Sequence, residues 1–380
     1  MKTQEIFKLA AIVILAWTIQ SCNKKETVPT SQDTGILPSK FKVSLPSSLS
    51  NGTLQTKSGF ALKSAEADTV KGNEVYTNLN TFIAVGEGAG DLVEKIIGGI
   101  VMYHINKPMI VTYESNDDQR TKNLVVSKDV QYKGKAFQFR LTITDAALES
   151  ASDGGKGMQI FWNNNPIDGI AILKPYNIDR VKNANDSSAI FSIEYSEVPT
   201  NEYDSHMQVE IAGLPMPDAD LQPYAVHSLK MFVGKKGNNV DVYGNSDHPN
   251  AKFFTQDKGF DWAFVASGLE VENIGVAEVG LPPYSLDDSA RQVLLGNYSI
   301  KSVITNQINK WFLAAYGVRP DSSDLSKYLH NADAPGFFSN QGFVQAGTSP
   351  AVQYDPLINR IQLLSPFNPK SVHELQIDFQ

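Results

Sequence analysis

The sequence predicts an α+β protein built around a large antiparallel β-sheet, with one amphipathic helix before the sheet and helices after it. From about residue 109 to 280, apolar and polar residues alternate with a period of two, which is typical of strands with one buried face. About ten or eleven such segments follow one another without a helical segment between them, which favours antiparallel pairing of neighbours. A sheet of this size must curl, close or split, so half-barrel, barrel and sandwich-like arrangements are all open.

The predicted helix before the sheet covers residues 78–104, where apolar residues recur at intervals of three and four, as on one face of a helix. Each interior glycine costs a helix roughly 0.5–1 kcal/mol relative to alanine. We therefore expect either a kink near the glycines of this segment or a close approach of its backbone to another surface. These glycines are Gly86, Gly88, Gly90, Gly98 and Gly99.

The clearest predicted strand is 136–144, where large apolar residues alternate with polar ones. Other strands are predicted at 109–114, 124–133, 158–162, 169–174, 191–195, 207–211, 226–233, 239–243, 260–264 and 273–279. Three segments rich in Asn and Asp carry side-chain oxygens of the kind that calcium prefers. The same residue types are typical of turns between strands, so we interpret the three segments, 163–169, 185–188 and 245–248, as turns.

The C-terminal part of the sequence predicts helices again. Ser285 is a plausible N-cap for a short helix that ends at Gly296, and a second helix has one apolar face from Ile300 to Ala315 and stops at Gly317. Residues 331–355 are then expected to form a long loop. Alternation at 373–379 predicts a last strand that could return to the sheet.

The first 21 residues are typical of a secretory leader, since a lysine-bearing start precedes an apolar run at 9–19 and the small residue Ser21. This run is too short to span a bilayer as a helix, which takes about 20 residues. The segment Ile19-Gln20-Ser21-Cys22 resembles the lipobox of bacterial lipoproteins, and Cys22 is the one cysteine of the chain. The resemblance implies cleavage before Cys22 and the attachment of fatty acyl chains, such as palmitate, to that residue.

The expected partner of this N-terminus is therefore a membrane. Each buried CH₂ of an acyl chain contributes about 0.8 kcal/mol, so several chains would hold the protein durably. Asn23 follows the cysteine, whereas by the resemblance an Asp there would favour retention in an inner membrane. The predicted location is the cell envelope, anchored by lipid to the outer membrane.

Four segments are expected along the chain. Residues 1–21 are predicted to be the signal peptide, and residues 22–75, rich in Ser, Thr, Pro, Gly and Lys, a flexible tether. Residues 76–281 are expected to hold the first helix and the sheet. Residues 282–380 are expected to hold the C-terminal helices and the long loop, packed on the sheet.

Composition and motifs exclude several classes of function. The formal net charge of −8 argues against a protein that neutralises nucleic-acid phosphates. The patterns G-x-S-x-G, H-E-x-x-H and the P-loop do not occur in the sequence, and a single cysteine cannot form C-x-x-C. We therefore assign no catalytic residue, no metal ligand and no cofactor from the sequence, and whether the protein is an enzyme stays open.

The sequence suggests three residues that could bind a ligand. His227 shares its alternation with Leu229 and Met231, which would direct it to the enclosed side of the sheet. Trp162 and Trp262 are aromatic residues that could line an apolar cavity between the sheet and the glycine-bearing helix. His373 shares its alternation with Leu375 in the same way.

Three functions are compatible with these observations. The first is a lipid-anchored envelope protein that binds an apolar or amphiphilic small molecule under a curved sheet. The second is an envelope adhesion or interaction protein whose surface contacts a glycan or another protein, and a core without a cavity would favour it. The third is a hydrolase with dispersed acidic residues, for which Asp241, Asp261 and Glu210 occur at strand positions.

Overall fold

The computed structural model of the chain describes residues 35–50, 72–184, 186–218, 222, 224–252 and 258–380. The predicted signal peptide, the lipobox with Cys22 and most of the predicted tether lie outside the described residues. Within the described part of the chain, no helix combines the length and the apolar character that crossing a bilayer requires.

The chain divides into two compact units. Of the residues that the structure describes, those within Met1–Val43, Glu87–Pro215 and Gln376–Gln380 form the first unit, and those within Ser44–Gly86 and Met216–Leu375 form the second. The C-terminal helices belong to the same unit as the later strands, and the four segments expected from the sequence stay a prediction. The last residues belong to the first unit, where the backbone N–H of Gln380 donates to the side chain of Gln159 at 2.7 Å.

The expected antiparallel sheet is confirmed. In the described part of the chain it has thirteen strands whose order in the sheet follows the sequence, and it is not closed, so the closed alternative is wrong. The strands are β1 (Met109–Glu114), β2 (Thr121–Tyr132), β3 (Lys135–Asp145), β4 (Lys156–Asn163), β5 (Asp168–Leu173), β6 (Ile190–Ser196), β7 (Ser205–Ala212), β8 (Ser228–Lys236), β9 (Asn239–Lys252), β10 (Lys258–Leu269), β11 (Ile274–Gly280), β12 (Gly336–Ser339) and β13 (Gly342–Ala346).

Helices precede and follow these strands. The helices are α1 (Ser47–Ser50), α2 (Gly72–Ile100), α3 (Pro175–Ile178), α4 (Ile300–Tyr316), α5 (Ser322–Tyr328), α6 (Asp355–Ile361) and α7 (Lys370–His373). As the sequence predicts, Gly317 ends α4, where its positive φ of 72° lets its N–H bond to the carbonyl oxygen of Leu313. Short 3₁₀ turns occur at Val101–Tyr103, Ala146–Leu148 and Val352–Tyr354, and a π-helical turn at Gln292–Asn297.

The predicted helix at 78–104 is confirmed as α2, a helix of 29 residues without a break, and its glycines fall into two groups. In the second unit, a Cβ at Gly86 would collide with the methyl group of Met231 and lie 3.2 Å from Leu229. In the first unit, a Cβ at Gly90 would lie 2.8 Å from the Cβ of Lys42. The other three glycines, Gly88, Gly98 and Gly99, face open space. Close approach therefore explains two of the five glycines that the sequence singled out.

In the second unit, the strands are covered on both faces. On one face the ring of Phe82 in α2 lies 4.4 Å from His248 and 5.0 Å from Trp262, measured between ring centroids. On the other face a second apolar cluster contains residues from β10, β11, β12 and the C-terminal helices. Its buried members are Ala263, Val265, Ile274, Val276, Leu294, Leu295, Phe337, Tyr354, Leu357, Ile361 and Leu364.

Several local predictions at the C-terminal end were wrong. The expected loop at 331–355 contains the β12–β13 hairpin, in which Phe337 and Phe338 are buried. The expected strand at 373–379 is absent from the described chain, since α7 ends at His373 and the following residues pair with no strand. The helix expected from Ser285 to Gly296 is a π-helical turn at Gln292–Asn297.

The turn predicted at 245–248 was also wrong. These residues belong to β9, which pairs with β8 on one side and with β10 on the other. Burial explains the difference, because Asn245, Ser246, Asp247 and His248 are all buried among the paired strands. The segment 163–169 does connect two strands, β4 and β5, as predicted.

Part of the predicted tether is described, and it is packed. Phe41, Val43 and Leu49 have no solvent-exposed surface. The backbone N–H of Phe41 donates to Glu94 at 2.8 Å in the first unit, and Asn80 donates to the carbonyl oxygen of Ser48 at 2.8 Å in the second. Residues 35–43 therefore contribute to the core of the first unit, and residues 44–50 contribute to the core of the second.

Candidate functional site

Two buried aspartates face each other on neighbouring strands of the second unit. Asp247 of β9 and Asp261 of β10 are direct cross-strand partners. Such partners have Cβ atoms about 4.5–5.5 Å apart, and like charges in this position are unfavourable. Asp247 is 4% exposed and Asp261 is fully buried. The pair therefore needs protons or positive charge close to it.

His373 supplies the nearest imidazole. It ends the short helix α7, whose residue Val372 is buried in the same unit. The Nε2 atom of His373 lies 2.9 Å from Oδ2 of Asp261, and its Nδ1 atom lies 3.8 Å from Oδ2 of Asp247. The ring of Tyr284, which is 56% exposed, lies over the imidazole with a centroid distance of 4.0 Å. One histidine thus contacts both carboxylates.

The electrostatics of this cluster follow from burial. The pKa of Asp247 is raised to about 6, mainly by burial and to a smaller extent by the charge of Asp261, while His373 and His227 act in the opposite direction. Burial also raises the pKa of Asp261, against the effect of its hydrogen bond to His373. Burial lowers the pKa of His373, but the hydrogen bond and charge of Asp261 outweigh that effect, so the net shift is upward. The net shift of the pKa is upward for all three residues, so each holds its proton to a higher pH than the same side chain does in water.

The atoms of this cluster also meet the first condition for binding a metal ion. One ligand atom from each of the three residues can be chosen so that all lie within 4.8 Å of one another. The Oδ1 atom of Asp261 is buried and has no hydrogen-bond partner among the described residues. Unpartnered buried oxygens are rare in folded proteins, and a bound ion or water can satisfy such an atom.

The residues predicted to bind a ligand lie in different surroundings. His227 is half-buried, and its backbone N–H donates to the carbonyl oxygen of Asp247 at 2.9 Å, so it lies beside the cluster. Trp262 is fully buried, among aromatic rings next to α2. Trp162 belongs to the first unit, is fully buried, and donates from Nε1 to the carbonyl oxygen of Ile36 at 2.9 Å.

The acidic residues of the hydrolase hypothesis have separate environments. Asp241 is fully buried and accepts hydrogen bonds from Ser267 at 2.7 Å and from Arg360 Nε at 2.7 Å. Glu210 accepts a hydrogen bond from Gln208 at 3.2 Å in the first unit. Of these three acidic residues, only Asp261 belongs to the cluster that also contains Asp247 and His373.

Sequence reasoning missed Asp247 and the position of His373. Asp247 was hidden in a segment interpreted as a turn, and His373 in a segment interpreted as a strand. A signal existed for Asp247. The β8–β9 hairpin pairs Lys236 with Asn239, so a strand β9 as long as β8, which begins at Ser228, extends to Asp247. No comparable signal places the short helix α7 next to that strand.

A second buried charge cluster, in the first unit, shows what a fully partnered arrangement looks like. The Nζ atom of Lys122 lies 2.9 Å from Asp118 Oδ2, 3.2 Å from Asp145 Oδ2 and 3.0 Å from the carbonyl oxygen of Asn177. Arg120 also donates to Asp145, at 2.9 Å. Burial raises the pKa values of Asp118 and Asp145, but these hydrogen bonds outweigh it and the net shift is downward. This arrangement stabilises ionised carboxylates.

The surface of the second unit exposes an aromatic cluster at the end of α4. Trp311, Phe312 and Tyr316 have ring centroids 5.1–5.8 Å apart. Tyr316 is 62% exposed, and the nearby Leu313 and Val318 are 45% and 61% exposed. We call these five residues the α4 aromatic surface.

An open depression of about 470 Å³ lies between α4 and α5 in the same unit. Polar side chains are the majority of its lining, and a salt bridge of 2.6 Å joins Lys301 and Asp333 there. The depression is lined by Lys301, Ser322, Leu325, Ser326, Leu329, His330, Asn331 and Asp333. Most of the surface exposed in the depression is nevertheless apolar, so it presents polar groups next to apolar area.

Comparison of the chain with protein-family models, with curated proteins and with solved structures finds no match. The functional argument therefore depends on the residues and their geometry.

Proposed function

We propose that the chain is a lipid-anchored protein of the cell envelope, held at the outer membrane through acyl chains on Cys22, whose folded body binds an envelope glycan at its surface. The leader and the segment Ile19-Gln20-Ser21-Cys22 support the anchor. The packing of the second unit supports surface binding over the enclosure of an apolar ligand.

The observation that carries this choice is the contact between α2 and the sheet. An apolar carrier needs unfilled space between the glycine-bearing helix and the strands below it. At Gly86 the helix backbone is so close to the strands that an added Cβ would meet the terminal methyl group of Met231 and lie 3.2 Å from Leu229, which leaves no room for a larger side chain. Both of these side chains are fully buried, as is Trp262. The described residues of this layer therefore pack against one another as an ordinary core.

The α4 aromatic surface and the depression beside α5 are the proposed contact region. Aromatic rings offer an apolar face to the C–H groups of a sugar ring, while nearby polar side chains can bond to its hydroxyls. Both features occur on the α4–α5 helical pair of the second unit, with Tyr316 at one end of α4 and Lys301 at the other. An extended polysaccharide suits such a surface better than a compact ligand does.

The proposed binding is tested by sedimentation of the purified protein with insoluble peptidoglycan sacculi. We expect the wild-type protein to pellet with the sacculi and Tyr316→Ser to pellet at least several-fold less. Leu363→Ser is the matched control, because Leu363 is an apolar residue outside the α4 aromatic surface that is 75% exposed, somewhat more than Tyr316. Equal pelleting of Tyr316→Ser and wild type, or no pelleting of either, would contradict the proposal.

The anchor is tested separately by membrane fractionation. We expect the wild-type protein to stay in the membrane pellet after a carbonate wash and Cys22→Ser to be released into the supernatant, because acyl chains on Cys22 would supply the membrane affinity. Ser31→Ala, a comparably small change nine residues further on, should behave as wild type. Retention of Cys22→Ser in the pellet would show that something other than the cysteine holds the protein.

A further inference from the structure

The buried aspartates of this protein differ in how their charge is balanced. Asp145 contacts Lys122 and Arg120, and Asp241 contacts Arg360, so each has at least one permanently charged cationic partner. Asp247 and Asp261 share His373, and His227 also interacts electrostatically with Asp247, so the partners of these two aspartates are imidazoles, which are neutral when unprotonated.

The formal charge of the Asp247–Asp261–His373 cluster is therefore not balanced by its own residues. Two ionised carboxylates and a neutral imidazole carry a charge of −2, and a protonated imidazole reduces it only to −1. An unbalanced charge inside a protein is costly, since burial removes the solvation that water provides. A divalent cation bound to both carboxylates, with the imidazole neutral, brings the cluster to zero.

A second observation points to a ligand independently of this charge balance. The Oδ1 atom of Asp261 belongs to a fully buried side chain and has no hydrogen-bond partner in the part of the chain that the structure describes, although Oδ2 of the same carboxylate contacts His373. A carboxylate oxygen has strong acceptor capacity, and leaving it unused in the interior costs about 1–3 kcal/mol or more. A metal ion would use that capacity.

The donor atoms narrow the choice of metal. Two carboxylates and one imidazole combine hard oxygen donors with a borderline nitrogen donor, which suits Zn²⁺ or Mn²⁺ better than Ca²⁺, whose sites consist of oxygen ligands. Zinc–ligand distances of about 2.0–2.2 Å in a tetrahedral site place ligand atoms about 3.3–3.6 Å apart. The ligand atoms here lie within 4.8 Å of one another, so shifts of up to about 1 Å would bring them to that spacing.

We propose that Asp247, Asp261 and His373 bind one divalent transition-metal ion, Zn²⁺ or Mn²⁺, between β9, β10 and α7 of the second unit. The ion would join α7 to the two strands. Access would be from the side of His373, whose side chain is 12% exposed, whereas the Asp261 side chain is fully buried. This inference is independent of the proposed glycan binding and of the lipid anchor.

The test starts from the full-length protein treated with a chelator and then dialysed. Isothermal titration with ZnCl₂ and, separately, with MnCl₂ should give one strong site per chain for at least one of the two metals. Thermal unfolding should show a higher Tm with that metal, because an ion that binds only the folded state stabilises it. Absence of a strong site for both metals would overturn the proposal and leave a proton-sharing cluster in its place.

Variants show whether the strong site is this cluster. We expect Asp261→Asn and His373→Gln to lose the strong site and the rise in Tm. His373→Gln is included because its side chain is partly exposed and the variant is more certain to fold than one altered at Asp261. Asp241→Asn is the matched control: it removes a fully buried aspartate from the same strand β9, but outside the cluster, and should keep the strong site.

Two further outcomes would also contradict the proposal. Unchanged metal binding in a folded His373→Gln variant would place the site at other side chains. Loss of binding in a folded Asp241→Asn variant would show that binding depends on buried charge in general and not on these three ligands. Circular dichroism of each variant establishes that it is folded before it is titrated.

Discussion

Replacing Gly86 with leucine tests the close contact between α2 and the sheet. The Cβ of the new side chain would meet the methyl group of Met231, with Sδ of Met231 at 3.1 Å and a methyl carbon of Leu229 at 3.2 Å. Alanine would be a weaker test, because rotation of the Met231 methyl group could accommodate one carbon. The four carbons of leucine need space that two fully buried neighbours do not leave.

The expected magnitude combines two opposing effects. Leucine in place of glycine favours the helix by about 0.8 kcal/mol. Forcing extra carbons into a packed core costs about 1–3 kcal/mol, and four carbons place Gly86→Leu at the upper end. We therefore expect Gly86→Leu to lower the free energy of unfolding by about 2 kcal/mol. Gly88→Leu, where a Cβ meets nothing within 4 Å, should raise it by about 0.8 kcal/mol.

Urea unfolding followed by tryptophan fluorescence measures this difference of about 3 kcal/mol between the two variants. The double variant Gly86→Leu with Met231→Ala should recover part of the loss, because it removes the side chain with which leucine collides. If Gly86→Leu proved as stable as Gly88→Leu, unfilled space would lie beside Gly86. The apolar-carrier hypothesis would then replace the proposed surface binding.

The remaining predictions concern buried charge. Lys122→Met should lower the free energy of unfolding by about 3–5 kcal/mol, because it leaves two buried carboxylates short of a partner. Lys327→Met, which loses an exposed ion pair with Asp324, should leave it nearly unchanged, and urea unfolding measures both variants. The free energy of unfolding should decrease as pH falls below about 4, because the pKa values of Asp118 and Asp145 in the folded protein lie below the unfolded value of about 3.9. A free energy of unfolding that stays constant down to about pH 2 would contradict this. In chelator-treated protein, the free energy of unfolding should fall by about 2 kcal/mol as pH rises from 4 to 6, because the pKa of Asp247 in the folded protein is about 6. Thermal unfolding at several pH values tests whether stability falls or rises over this range.

The regular parts of the fold were predictable from the sequence because each has a local periodic signal. The alternation at 136–144 corresponds to β3, and the three-and-four spacing at 78–104 corresponds to α2. The stop at Gly317 was predictable as well, because a glycine with positive φ is a common helix terminator. These features depend on residues close together in the chain.

Errors arose where tertiary contacts overrule local preference. Asn, Ser, Asp and His at 245–248 favour turns by themselves, but the neighbouring strands β8 and β10 hold them in an extended conformation. Gly336 and Gly342, which favour a loop, are instead the first residues of the two strands of a hairpin in which Phe337 is buried. Propensity is a weak guide when the hydrogen-bond partners lie elsewhere in the chain.

The candidate cluster could be predicted only in part. Asp261 was recognisable as an acidic residue at a strand position, and His227 as a histidine whose alternation matches that of core residues. The meeting of Asp261 with Asp247 follows from strand register, and that with His373 from the docking of a four-residue helix more than a hundred residues later in the chain. Neither long-range contact leaves a periodic signal in the sequence.

Intact mass spectrometry of the native protein extracted from membranes tests the central claim, that lipid on Cys22 holds this protein at the envelope, most directly. The predicted result is a chain that begins at Cys22 and carries the added mass of a diacylglyceryl group and an N-linked acyl chain. A chain with an unmodified Cys22 thiol, or one that still carries residues 1–21, would contradict the claim.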